Sequence, residues 1–169
     1  MLVVANLVLG ADGSSLLGAD SQGLSSPEDR AHFLAHRRKR DCIIIGGKTA
    51  ANFGYQKSPC PVIVLSHQAP ALIKENPKAH WWQESLADAI ERAGREFGPS
   101  IGIEGGPKLL QAFLEGGLVD LLELSVTPKT GGANLVDISK LLDHFQVIEK
   151  TQVGETIFYA ATQPIRRRR

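Results

Sequence analysis

From residue 2 to residue 9 the chain is apolar at every position except Asn6. A run without alternation suits a strand buried on both faces, as in a parallel sheet. Residues 10–23 are rich in Gly, Ser and Asp and read as loop. Ser25-Ser26-Pro27-Glu28-Asp29 then has the marks of a helix start: a hydroxyl N-cap, an early proline and acids in the first turn. That helix is expected to reach about residue 40, where Arg37-Arg38-Lys39-Arg40 suits the negative end of the dipole. Further apolar runs predict strands over 42–45, 61–65, 101–103 and 121–126. The spacing of Leu86, Ala89, Ile90, Ala93 and Phe97 predicts a helix over 84–97, stopped by Gly98-Pro99, and a second helix follows over 108–115. Residues 69–82 carry no clear period; Trp81 and Trp82 are expected to pack over an edge of the core.

The pattern changes near the C-terminus. Residues 145–150 and 156–161 alternate apolar and polar around Gly154, as an antiparallel hairpin does. Strands alternating with helices and then a hairpin imply an α/β three-layer sandwich, its central sheet mostly parallel, with antiparallel strands at one edge. Residues 1–163 are expected to form one domain, and 164–169, ending in Arg166 to Arg169, a disordered basic tail.

Composition narrows the picture without naming a chemistry. At 169 residues, 43% hydrophobic and with a net charge of +1, the chain can bury one core and has no global pull toward nucleic acid or membrane. Cys42 and Cys60 are too few for a disulfide framework and have no CxxC partner, so no metal site is expected. His32, His36, His80 and His144 read as scattered surface or structural residues. No run reaches ~18 apolar residues, and the N-terminus lacks a basic leader, which reads as cytoplasmic.

The candidate chemistry sits at strand ends, where open α/β sheets bind ligands. The strand over 42–45 ends in Gly46-Gly47-Lys48-Thr49, that over 61–65 in Ser66-His67, and that over 101–103 in Glu104-Gly105-Gly106-Pro107. Glycines that turn into a helix let an anion approach free backbone amides, although a Gly-Gly turn can also be only a tight connection. Two such turns flanking a polar strand end suit a dinucleotide pyrophosphate and a ribose phosphate. Neither GxGxxG nor GxxxxGK[ST] is present, so an ordinary Rossmann or P-loop site is not expected.

These segments, in unchanged order over nearly the whole chain, resemble the dihydrofolate reductase superfamily, and most of all the reductase domain of bacterial riboflavin biosynthesis. Asp12-Gly13 resembles the end of its "SLDG" segment, Asp41 to Thr49 its "D-x-I-x-x-G-x-x-T", Ile103 to Leu110 its "VEGGPxL", and Leu118 to Leu122 its "LVDEL". The resemblance implies a dihydrofolate reductase-like fold, NADPH as cofactor, a ribosylaminopyrimidine substrate and a homodimer. By position it implies cofactor contacts from Gly46, Gly47, Thr49, Ser66, His67, Gly105, Gly106, Pro107, Lys108 and Leu109. It implies substrate contacts from Asp12, Ser21, Arg37 and Glu104, and chemistry near Asn6, Asp29 and Glu104. Asp29 also reads as a first-turn acid, and Arg37 as a helix cap or a phosphate ligand. Glu104 is expected to meet a substrate ring nitrogen or hydroxyl. The dimer is expected to form through the hairpin edge, which carries Phe145, Val147, Ile157 and Phe158.

Three departures stand out. Asn6 replaces a lysine, Gly10 replaces a serine, and the stretch after Thr49 lacks "DxPxLxxR". The readings left open are a ribosylaminopyrimidine reductase, a dihydrofolate reductase-like pterin reductase and a non-catalytic dinucleotide-binding protein. No H-x-E…P-C-x-x-C pattern is present, so zinc-dependent deamination is not expected of this chain.

Overall fold

A computed structural model describes residues 1–52 and 54–165; of the tail expected over 164–169, Pro164 instead ends the last strand, and 166–169 lie outside the described residues. The apolar run at the N-terminus forms β1 (Leu2–Gly10), the central strand of an eight-stranded sheet. Beside it lie β6 (Ser100–Glu104), then β3 (Cys42–Gly46), β4 (Val62–Leu65) and β5 (Ala79–Trp82), all parallel. On its other side β7 (Leu121–Thr127) is parallel, and the hairpin β10 (Thr156–Pro164) and β9 (Phe145–Val153) is antiparallel. The dihydrofolate reductase-like three-layer architecture expected from the sequence is the one observed.

The two faces of the sheet differ in chemistry. On one, Val3, Ala5, Leu7 and Leu9 of β1 join Ile44, Ile101, Ile103, Leu122 and Leu124 in a dry core. Helices α3 (Leu86–Glu96) and α4 (Pro107–Glu115) and the short α5 (Ile138–Leu142) cover it, with Phe113 fully buried. Each fully buried Leu, Ile or Phe there contributes about 1.5–3 kcal/mol. On the other face, α1 (Pro27–Arg37) crosses β6, β1 and β7, while Ile43, Ile45, Val62 and Val64 pack beside it with Ala50 and Leu72, the latter on the one-turn α2 (Leu72–Glu75). Ser26 caps α1 by accepting the Asp29 amide, and Ser85 caps α3 by accepting that of Asp88.

Several elements differ from expectation. Trp82 lies inside β5, in the core, and not over an edge of it. α1 ends at Arg37, so residues 38–40 turn instead of continuing the helix. A second, two-stranded sheet pairs β2 (Ser14–Leu16) with β8 (Ala133–Leu135) and ties the loop after β1 to the loop after β7. Phe145 and Phe158 are buried, so of the four hairpin residues predicted to be exposed only Val147 is. Among the described residues no helix is long and apolar enough to cross a membrane.

Candidate functional site

Sheet register brings together residues far apart in sequence. Asn6 pairs with Glu104 on one side and with Glu123 on the other, so a polar row crosses three central strands on the face beneath α1. Glu104 is 5% exposed and Glu123 6% exposed. A buried carboxylate must be paired, since its desolvation otherwise costs several kcal/mol.

Arg37 meets that demand for Glu104. Its Nε donates to Glu104 Oε1 at 2.9 Å and its Nη2 to Oε2, the bidentate fork that suits a carboxylate. The guanidinium lies between the rings of Phe33, at 4.4 Å, and Tyr55, at 4.9 Å. Tyr55 Oη adds a hydrogen bond to Glu104 Oε2 at 3.2 Å. Burial works against the Arg37 charge, but the hydrogen bonds and charge of Glu104 outweigh it and raise its pKa. Burial, then the Glu104 charge, raises that of the Tyr55 phenol. Glu104, expected to meet a substrate group, and Arg37, expected to cap its helix or hold a phosphate, are paired with each other here. Sequence reasoning missed Tyr55, which follows Thr49 where the family's basic stretch is absent.

Glu123, also missed, is served more weakly. Asn6 Nδ2 donates to its Oε2 at 3.4 Å, and His36 Nδ1 lies 2.5 Å from Oε1. Burial raises its pKa against the opposing charges of Arg40 and Lys39. Burial, and the charges of His32, Lys39 and Arg40, push His36 down to about 4, so this contact is not an ion pair at neutral pH. The one available signal was an acid inside the apolar run Leu121-Leu122-Glu123-Leu124.

The glycine turns converge at the C-terminal ends of β3 and β6. Leu109 of α4 fills the space between them: a Cβ would lie 3.6 Å from its Cδ2 at Gly46 and 2.9 Å at Gly105. At Gly47 a Cβ would lie 2.8 Å from Ser66 Cβ, so that glycine is required by packing alone. Gly106 differs. It is the N-cap of α4, with φ −66°, and a Cβ there would meet open space. Pro107 opens the helix and has no N–H, and the Leu109 and Leu110 amides donate to the Gly106 carbonyl at 3.1 and 3.2 Å. Lys108 and His67 are exposed, and Thr49 begins the short turn after β3. Ser66 Oγ donates to Gln68 O at 2.6 Å.

The remaining predicted residues stand apart from this convergence. Ser21 lies at the start of a short turn over 22–24 and makes no side-chain cap. Asp29 is 4% exposed at the start of α1, where Ser25 Oγ donates to its carboxylate at 2.5 Å. A cleft of about 340 Å³ opens beside it, lined by Ser25, Ser26, Lys129 and Thr156 among others. Asp12 acts as a latch, accepting from the Ser14 hydroxyl and amide and from the Gly131 amide. Gly10 is explained nearby, because a Cβ would lie 2.6 Å from the Lys129 carbonyl oxygen and a serine would not fit unmoved.

The latch predicts an acid-sensitive loop. Hydrogen bonds from Ser14, then from the Gly131 amide, hold the Asp12 carboxyl down to about 2 from 3.8. A depressed carboxyl stabilises the fold fully above its unfolded value and loses that contribution as pH falls toward the folded one. Urea midpoints of the parent and Asp12→Asn should therefore differ at neutral pH and converge between about pH 4 and pH 2. A difference that persists unchanged to the acid end would exclude the latch.

The chain matches the RibD C-terminal domain family over residues 2–159. No curated protein sequence matches it. Among solved structures it is similar to a diaminohydroxyphosphoribosylaminopyrimidine deaminase/5-amino-6-(5-phosphoribosylamino)uracil reductase from Thermotoga maritima, at 16% identity and a TM-score of 0.70. That match covers 97% of this chain and 56% of the other. RibD from Acinetobacter baumannii gives 15% identity and a TM-score of 0.71 over 98% of this chain and 58% of that one. The chain thus spans a little over half the length of these two relatives. A pyrimidine reductase-like protein from Corynebacterium diphtheriae, at 17% identity and a TM-score of 0.67, is covered over 92% of its length by 98% of this chain. With the family match spanning nearly all of the sequence on this fold, the chain belongs to the RibD C-terminal domain family.

Proposed function

We propose that this chain is an NADPH-dependent reductase of a phosphorylated ribosylaminopyrimidine. The observation that carries the reading is Gly106: a helix N-cap glycine with no internal packing reason, facing open space beside the Gly46-Gly47 turn at the adjacent strand end. That arrangement fits a dinucleotide pyrophosphate, because the positive end of the α4 dipole points there and nothing obstructs the backbone at Gly106. When bound, NADPH supplies the hydride. The α4 amides hold the pyrophosphate, Thr49 borders the nicotinamide half, and Ser66 with His67 reads the ribose phosphate. Asn6 and Glu104 face the heterocycle from the sheet. Arg37 fixes the rotamer of Glu104, whose Oε1 keeps about one lone pair to accept a ring N–H, while Phe33 and Tyr55 exclude water from the pair.

Cofactor identity is tested by calorimetry. NADPH should bind more tightly than NADH, and Ser66→Asp should erase the preference by setting a carboxylate against the extra phosphate. Gly106→Val should fold with an unchanged melting temperature, since its φ is ordinary and its space open, yet bind neither dinucleotide. Equal affinity for both in the parent chain, or full binding by Gly106→Val, would refute the assignment.

A pterin substrate is the second reading, favoured by the buried carboxylate of Asp29 at the start of α1 beside the open cleft. NADPH consumption with the phosphorylated pyrimidine and with dihydrofolate separates the two. Turnover with dihydrofolate that Asp29→Asn abolishes, with NADPH binding intact, would establish the pterin reading. Turnover with neither substrate would leave a dinucleotide-binding protein.

The chain is also proposed to be a homodimer. β9 is a nine-residue edge strand, with no strand on its outer side among the described residues. It exposes Val147 at 37%, Ile148 at 44% and Val153 at 54%. A long apolar edge is an aggregation hazard unless it is covered, and a second copy covers it symmetrically. Sedimentation should give a dimer that Ile148→Lys dissociates, and a monomeric parent chain would refute it.

A further inference from the structure

One cluster of metal-ligating side chains has no part in the reading above. His32 and His36 lie four residues apart on α1, so both rings leave the same face of the helix. Glu123 rises from β7 to meet them, and the ligand atoms of the three residues all lie within 4.8 Å of one another. The two imidazoles stack with centroids 4.1 Å apart, and the ring of Phe158 closes over His32 at 4.7 Å. Read from sequence as scattered, these histidines are neighbours in a partly buried site.

Two independent observations mark the cluster as incomplete. Nδ1 of His32 is buried and has no hydrogen-bond partner, whereas buried polar atoms are ordinarily paired. A cavity of about 10 Å³, bordered by His36, Glu123 and Asn6 together with Arg37, Arg40 and Glu104, also lies at its edge, with room for about one water-sized species.

We propose that His32, His36 and Glu123 bind one divalent transition-metal ion of the zinc class. Two nitrogens and a carboxylate oxygen form a donor set that Zn²⁺ accepts, with the fourth position left to water. Mg²⁺ and Ca²⁺ prefer all-oxygen sets and are not retained. In a tetrahedral site with bonds near 2.0–2.2 Å, ligand atoms stand roughly 3.3 Å apart. The present separations, from 2.5 Å between His36 and Glu123 up to 4.8 Å, bracket that value, so side-chain rotations suffice to close the sphere. Lys39 and Arg40 oppose added positive charge and hold the affinity below that of a closed four-ligand site. The ion would tie α1 to β7 and, through Glu123, orient Asn6.

The test uses the untagged full chain, stripped with a chelator. Zn²⁺ is titrated by calorimetry, Co²⁺ by its visible absorption, and Mg²⁺ serves as the control. The expected result is one Zn²⁺ per chain, a melting temperature that rises to saturation, and the intense bands of tetrahedral Co²⁺, with no response to Mg²⁺. His32→Asn, His36→Gln and Glu123→Gln are each checked for folding by circular dichroism. Every variant that folds should lose affinity by about tenfold or more, since even outer partners of metal ligands are worth 10–100-fold. The double variant His67→Ala/His144→Ala should bind as the parent does. No Zn²⁺ binding by the parent would overturn the site, as would binding that survives these substitutions or that depends on His67 and His144. Should all three ligand variants fail to fold, the Co²⁺ spectrum of the parent decides: tetrahedral bands support the site and an octahedral aquo spectrum refutes it.

Discussion

Two carboxylates, Glu104 and Glu123, stand in the middle of a sheet face, and the layer above them is shaped by the need to keep them there. An unpaired buried carboxylate costs several kcal/mol, comparable to much of a domain's net stability. The helix that covers this face therefore cannot present an ordinary apolar stripe. α1 presents Phe33, His36 and Arg37 to the sheet, and its rotation is fixed because only that setting delivers the Arg37 fork to Glu104. The opposite face has no such demand and is filled by aliphatic side chains and Phe113. The asymmetry between a dry face and a polar one sets the two sides of this α/β sheet apart.

How much of this the sequence revealed depended on whether a signal was local. The parallel strands other than β5 were legible because each is a short apolar run closed by glycine or a polar turn, and Ser26-Pro27 marked a helix start that the structure retains. β5 was not legible: Ala79-His80-Trp81-Trp82 is short, lies at the sheet edge and has no period. β2 and β8 are three residues each and exist only because Asp12 and the loop over 129–132 meet in space. The polar row was half legible. Glu104 stands out beside two glycines, but its partner looked like a helix cap, because the basic run at Arg37 to Arg40 suits a dipole as well as an ion pair. Nothing in the chain announces that residues 6, 104 and 123 share one register.

The glycines show how a motif divides between packing and function. Four glycines at two strand ends look alike in sequence. In the structure Ser66 accounts for Gly47, and Leu109 presses on Gly105 and touches the position of a Gly46 Cβ, while Gly106 has no neighbour that requires it. The residue without an internal reason is the one where an external partner has most explanatory value. Gly10, a departure from the family pattern, is by contrast explained by the Lys129 carbonyl alone.

The dependence of the polar face on the Arg37–Glu104 pair is tested most directly by a double-mutant cycle in urea. Arg37→Met and Glu104→Met should each cost about 3–5 kcal/mol, because each leaves the other charge buried and alone, and the double variant should recover much of that loss. A double variant whose loss is the sum of the two single losses would contradict the account.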